Sequence, residues 1–175
     1  LLLGQLVVRS LIQSSLGLDA TGYFQAAWAI SMTYIGFVLA AMGMDYYPRL
    51  TAVINDHGKV NTMVNQQVEV SLFLASPVIL AMMALAPWVI TLLYSREFHP
   101  AVEVLRWQIL GDILKIACWP LAFIILAAGD GKKYVWSESL GISVLVVLTF
   151  LLLPGFGLAG SGLAFLGMFH ADATQ

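Results

Sequence analysis

The sequence has little charge and almost no cysteine, and both shortages narrow its possible functions. Only 10% of the 175 residues are charged, and eight Lys and Arg are too few for a basic face that binds nucleic acid. The single cysteine, Cys118, excludes a disulfide or a cysteine-based metal site within the chain. The histidines at 57, 99 and 170 have no second ligand at metal spacing, so we expect no metal and no cofactor. No serine-hydrolase, zinc-protease or phosphate-loop motif occurs, and we expect a protein that is not an enzyme.

Long apolar runs make up most of the chain. Sixty per cent of the residues are hydrophobic and the mean hydropathy is +0.88, outside the range of soluble globular domains. Because lipid offers no water to backbone groups, runs of this length are expected to be helices. The sequence predicts an all-α, polytopic transmembrane bundle of about five to six helices, which covers residues 1–175 as one unit. The predicted helices cover residues 1–16, 22–44, 70–94, 105–128, 134–153 and, in part, 158–169, with a polar turn at 18–21.

Both ends of the sequence lie in or beside apolar runs. The chain begins with Leu-Leu-Leu-Gly, without an initiator Met or a basic leader. The last apolar run covers about half a membrane span before a polar tail follows. We therefore expect a fragment of a longer protein.

Basic residues in the loops predict which side faces the cytoplasm. Arg49 and Lys59 lie after the second predicted helix, and a Lys-Lys pair at 132–133 lies on the same side. The loops on the other side contain one basic residue, Arg96. Since cytoplasmic loops are enriched in Lys and Arg, residues 45–69 are predicted to be a cytoplasmic amphipathic connector.

Two predicted helices carry polar stripes within the membrane core. Gln5, Arg9 and Gln13 recur every four residues and so share one face of the first helix. Arg9 lies about 14 Å from the helix end, near the bilayer midplane, where a charge costs roughly 2.5–3.5 kcal/mol. A second stripe, in the fourth predicted helix, consists of Gln108, Asp112, Lys115 and Trp119, and Lys115 also lies near the midplane.

The stripes have two interpretations. Asp112 and Lys115 are three residues apart and can form a neutral pair that holds two helices together. Alternatively, both stripes line a hydrophilic cavity in which Arg9 and Lys115 are fixed cations, since ionisable residues within membranes mark substrate pathways. Cations at this depth suit a pyrophosphate-linked lipid or an organic anion, whereas Asp112 alone suits a coupling proton or sodium ion. The predicted substrate-binding residues are Gln5, Arg9, Gln13, Gln108, Asp112 and Lys115.

Two further features predict packing or surface contacts. Glu138 follows the Lys-Lys pair at 132–133 by about a turn, which favours an ion pair at the membrane interface. Gly36 and Ala40 are four residues apart in the second predicted helix, a spacing that lets helices approach closely.

Several segments, taken in order, resemble bacterial O-antigen and polysaccharide flippases. These flippases are the polysaccharide branch of the multidrug/oligosaccharidyl-lipid/polysaccharide exporter superfamily. The resemblance covers most of residues 1–153 through LGLDATGYFQAAWAIS, YYPRLTAV, APWVITLLYSREFHPAVEVLRWQILGDILK and LAFIILAAGDGKKYVW.

This resemblance implies the C-terminal lobe of a protein with two six-helix lobes around a central cavity. It implies translocation of undecaprenyl-diphosphate-linked oligosaccharide across the bacterial inner membrane by alternating access, for surface polysaccharide or O-antigen synthesis. The implied partners are the lipid-linked oligosaccharide, membrane lipid and the missing N-terminal lobe of the same chain, and Arg9 and Lys115 are the candidate cavity cations.

Other functions remain open from the residues alone. A cation-coupled exporter of small molecules would use Asp112, and a passive membrane scaffold would use both stripes as buried contacts between helices. A membrane-embedded glycosyl-transfer or polymerase component would need a large polar loop with a catalytic acid or base, and the sequence has none.

Overall fold

The computed structural model describes residues 2–172, with side chains described for residues 4–168. Leu1, where the first predicted helix begins, lies outside the described residues. The described chain contains five α-helices and one 3₁₀ turn and no strand. Four of the helices are long and apolar enough to cross a membrane, so the predicted all-α transmembrane bundle is confirmed. The elements are α1 (Leu2–Val53), α2 (His57–Leu93), the 3₁₀ turn (Arg96–Phe98), α3 (Ala101–Ala127), α4 (Gly131–Phe156) and α5 (Ala159–Asp172).

Helix α1 is broken at one residue, Gly17. Its backbone there has φ 89° and ψ −179°, a left-handed conformation that favours glycine. A straight helix of this length would extend about 78 Å, far beyond a bilayer, and the break divides it into a short arm, residues 2–16, and a long arm, residues 18–53. The polar turn predicted at 18–21 is wrong, because these residues are helical and the break is confined to Gly17.

The predicted connector, residues 45–69, consists of two helix ends and a short turn. Helix α1 continues to Val53, the turn occupies residues 54–56, and α2 begins at His57. Asp56 caps α2, since its carboxylate accepts a hydrogen bond from the Lys59 backbone N at 3.1 Å. Hydrogen bonds from the Lys59 backbone and side chain hold the pKa of Asp56 below its usual range. One face of this segment is buried in a small core formed by Tyr46, Leu50, Val60 and Val64.

Apolar side chains cover much of the outer surface. Leu92 is 85% exposed, and Phe37 and Phe73 are each 80% exposed. Soluble proteins rarely expose so much apolar surface, whereas lipid solvates such side chains directly. The outside of the bundle is therefore suited to contact with lipid.

Helix α3 lies at the centre and packs against α1, α2 and α5. A glycine permits a close contact with α5, because a Cβ at Gly111 would lie 2.5 Å from a ring carbon of Phe165. Gly36 has no neighbour within 4 Å of such a Cβ, and Gly36 and Ala40 are both exposed. The close helix approach predicted at Gly36 and Ala40 is therefore absent from the described part of the chain.

Candidate functional site

A polar cluster joins α1 to α3 in the middle of both helices. Asp112 Oδ2 accepts hydrogen bonds from Ser31 Oγ at 2.7 Å and from the Tyr34 hydroxyl at 2.6 Å. Ser31 and Asp112 are fully buried. We call Ser31, Tyr34, Gln108 and Asp112 the Asp112 cluster.

The cluster contains buried polar atoms that the described chain does not satisfy. Gln108 lies one turn before Asp112 and is fully buried, and neither its Oε1 nor its Nε2 has a hydrogen-bond partner among the described residues. The second carboxylate oxygen, Asp112 Oδ1, also has none there. An unsatisfied buried polar group costs about 1–3 kcal/mol, so these three atoms need partners, such as water or an ion, from outside the described chain.

A cavity of about 830 Å³ lies between α1, α3, α4 and α5. We call it the lobe cavity. Lys115 from α3, Gln5 from the short arm of α1 and Glu138 from α4 line it, among mainly apolar side chains. Its polar groups are concentrated near the start of α4, where Lys133, Tyr134 and Ser137 also face it. The cavity therefore combines an apolar interior with a few placed charges, as ligand pockets commonly do.

Lys115 lies between the lobe cavity and the Asp112 cluster. Its Nζ donates to Met32 Sδ at 3.5 Å, and both residues line the cavity. Met32 follows Ser31 in the chain, and Lys115 lies three residues after Asp112. The charge of Lys115 also interacts with the charges of Asp112 and Glu138. The buried Asp112 cluster and the open lobe cavity are thus adjacent, with the contact between Lys115 and Met32 lying between them.

The stripe on the short arm of α1 is divided in the structure. Arg9 Nη2 donates to Gln5 Oε1 at 3.3 Å, and Gln5 lines the lobe cavity. The Arg9 Nε atom is buried and has no hydrogen-bond partner among the described residues. Gln13 is exposed. Arg9 is therefore connected to the cavity through Gln5, while Gln13 lies away from it.

The ion pair predicted for Glu138 is wrong. Lys133 pairs instead with Asp130 at 2.9 Å, and no ion pair between Glu138 and the Lys-Lys pair occurs among the described residues. Asp130 caps α4, and hydrogen bonds from Lys133 hold the pKa of its carboxyl below the usual range. Glu138 instead lines the lobe cavity.

Sequence reasoning also missed Ser31 and Tyr34. They are three residues apart and so lie on one face of α1, whereas Thr33, the hydroxyl between them, is exposed and donates to the Ala29 carbonyl. That spacing was the available signal. It becomes informative only once α3 is placed opposite, because the acceptor, Asp112, is 78 residues from Tyr34 in sequence.

Comparison with known proteins supplies the family. The family model described as polysaccharide biosynthesis protein matches residues 5–103, more than half of the chain. The chain belongs to this family. Together with the apolar helices, membership in the polysaccharide biosynthesis family makes it a multi-pass membrane protein.

Curated relatives of this family member are named as flippases. The lipid III flippases of Escherichia coli strain K12 and of Shigella flexneri are each 23% identical over 168 residues. The match covers 94% of this chain but 39% of each relative, so the chain spans about two fifths of their length. Their names describe transporters, not enzymes. No solved structure matches the chain.

Proposed function

We propose that this chain is one lobe of a transporter that moves a lipid-linked oligosaccharide across the bacterial inner membrane for surface polysaccharide synthesis. The observation that carries the proposal is Lys115, half-buried in the wall of a cavity of about 830 Å³ inside a membrane-spanning bundle. Membership in a polysaccharide biosynthesis family and similarity to lipid III flippases support the substrate class.

Each part of the substrate has a matching environment. Lys115 acts as a point charge on the diphosphate, the most highly charged part of an undecaprenyl-diphosphate-linked oligosaccharide. Arg9 contributes a second cation through its hydrogen bond to Gln5 at the cavity wall. The sugars occupy aqueous space in the cavity and the polyprenyl chain stays in lipid. Gln108 and Asp112 support the wall from behind, and Gln13 has no role in this arrangement.

The transport cycle requires a second lobe in addition to the one described here. A second lobe of the same protein would face the lobe cavity, and rocking of the two lobes would expose it alternately to the two sides of the membrane. Membrane lipid and this missing lobe are then the partners, besides the substrate.

The proposal is tested in the full-length protein by removing each cation. We expect Lys115→Ala and Arg9→Ala to abolish surface polysaccharide in a strain that depends on this protein, with unchanged amounts of protein in the membrane. Lys59→Ala is the matched control, because Lys59 is exposed and pairs with Asp56 outside the membrane core.

Normal polysaccharide in both cation variants would contradict the proposal. A cation-coupled exporter of small molecules predicts a different pattern, in which efflux is lost with Asp112→Asn and is unaffected by Arg9→Ala. A passive scaffold predicts that both variants reduce the amount of folded protein instead of its activity.

A further inference from the structure

We infer that a groove between α1 and α2 binds one phospholipid with a zwitterionic headgroup, of the phosphatidylethanolamine class. The groove has a volume of about 520 Å³, and we call it the hairpin groove. Three charged side chains line it, and Arg49 is the ligand for the phosphate while Asp45 and Glu69 are the ligands for the ammonium group. The hairpin groove shares no lining residue with the lobe cavity, so the inference does not depend on what the cavity carries.

The first argument is the position of the groove at the end of two apolar helix segments. Asp45 is the first charged residue of α1 after Asp19, and no charged residue follows Glu69 in α2. These two acids therefore mark the level at which both helices leave the hydrocarbon core, which is where phospholipid headgroups lie. Val70 and Leu74 line the groove beyond Glu69, and they are 50% and 55% exposed. The groove thus has a polar end for a headgroup and an apolar end for an acyl chain.

The second argument is the balance of charge in the groove. With two carboxylates and one guanidinium, its lining has a net charge of −1. A purely anionic headgroup would add to this negative charge, whereas phosphatidylethanolamine brings an ammonium group together with its phosphate. Arg49 pairs with Asp45, but Glu69 forms no ion pair among residues 4–168. The ammonium group of the lipid would supply the cation that Glu69 lacks there.

The third argument is the set of hydrogen-bond donors at the polar end. Arg49 Nη1 donates to Asp45 Oδ2 at 2.9 Å, and a guanidinium has five N–H donors in all. The Arg49 and Asp45 side chains are 60% and 75% exposed, so a phosphate can approach Arg49 while the pair stays intact. Across the groove on α2, the exposed amide of Gln66 offers two more donors. Donors for a phosphate therefore come from both helices and lie beside acceptors for an ammonium group.

The test is native mass spectrometry of the purified full-length protein, which is freed of lipid in detergent and then given equal amounts of phosphatidylethanolamine and phosphatidylglycerol. We expect the wild type to retain phosphatidylethanolamine in preference to phosphatidylglycerol. Arg49→Ala should lower the affinity for phosphatidylethanolamine about tenfold, because a charge-assisted hydrogen bond to the phosphate is lost. Glu69→Gln keeps the size of the side chain but removes its charge, and it should abolish the preference between the two lipids.

Lys59→Ala and Glu97→Gln are the matched controls, because both side chains are exposed and neither lines the hairpin groove. Both should retain phosphatidylethanolamine as the wild type does. Ala41→Trp is an independent variant, which should reduce retention by filling the groove while every charge stays in place.

Three results would overturn the inference. One is equal retention of the two lipids by the wild type. Another is unchanged retention of phosphatidylethanolamine in Arg49→Ala, Glu69→Gln and Ala41→Trp, which is expected if the second lobe covers the groove. The third is a loss in the two control variants as large as the loss in Arg49→Ala.

Discussion

Asp112 and Lys115 lie three residues apart on one helix, yet they have opposite surroundings. Asp112 is fully buried and receives two hydroxyl hydrogen bonds from α1, whereas Lys115 is half-buried in the wall of a cavity. The difference arises from the neighbouring helix, since α1 presents Ser31 and Tyr34 to one residue and Met32 to the other. An ionisable residue within a membrane can therefore hold helices together or face a ligand, and its spacing in the sequence does not distinguish the two roles.

The largest effect on stability should follow from removing a hydrogen-bond donor to the buried carboxylate of Asp112. Tyr34→Phe leaves the buried carboxylate of Asp112 with one donor fewer, and hydrogen bonds to charged groups contribute about 1.5–3 kcal/mol. We expect a clearly lower melting temperature for the detergent-solubilised protein. Tyr47→Phe is the control, because Tyr47 is 38% exposed and lies outside the cluster. Equal melting of the two variants would show that Asp112 does not hold α1 to α3.

A similar effect should follow from crowding the contact between α3 and α5. Gly111→Ala places a Cβ 2.5 Å from the Phe165 ring, and overpacking of this kind costs about 1–3 kcal/mol. Gly36→Ala adds the same methyl group where nothing lies within 4 Å and should not destabilise the protein. Thermal unfolding measures both. A Gly36→Ala variant that melts as low as Gly111→Ala would contradict the packing described for α3.

The smallest effect on thermal stability should come from Asp56, an exposed carboxylate outside the membrane-spanning helices. Asp56 has a lowered pKa because Lys59 donates to it, so its capping contribution is fully present above the usual carboxyl pKa and is lost as pH falls through the lowered value. We expect Asp56→Ala to melt slightly below wild type at neutral pH and level with it under acid conditions. Asp45→Ala is the comparison, since Asp45 does not cap a helix start. A gap between wild type and Asp56→Ala that widens on acidification would contradict this account.

The sequence was a good guide to the elements and a poorer guide to their contacts. Apolar length alone predicted the transmembrane bundle, because lipid restricts the backbone to helices. The sequence did not predict the break at the single residue Gly17. The polar residues that follow Gly17 suggested a loop, but they are helical. Glu138 was assigned to the wrong neighbours because Asp130, nearer in sequence, takes Lys133.

The candidate site, too, could be predicted only in part from the sequence. Helical spacing grouped Gln108, Asp112 and Lys115 on one face, and the cavity position of Lys115 depends on how α4 and α5 are placed. Partners on other helices, such as Ser31 and Tyr34, could not be assigned from spacing within α3. Roles of the six predicted site residues in binding substrate stay predictions.

The central claim is that a buried polar cluster and an open cavity lie next to each other along α3, and thiol labelling tests it most directly. In a full-length Cys118→Ala background, Lys115→Cys and Gln108→Cys are each treated with a negatively charged, membrane-impermeant thiol reagent. Cys118 must be removed because it lines the same cavity. We predict rapid labelling at position 115 and none at position 108. Equal labelling at the two positions, or an unreactive position 115, would contradict the account.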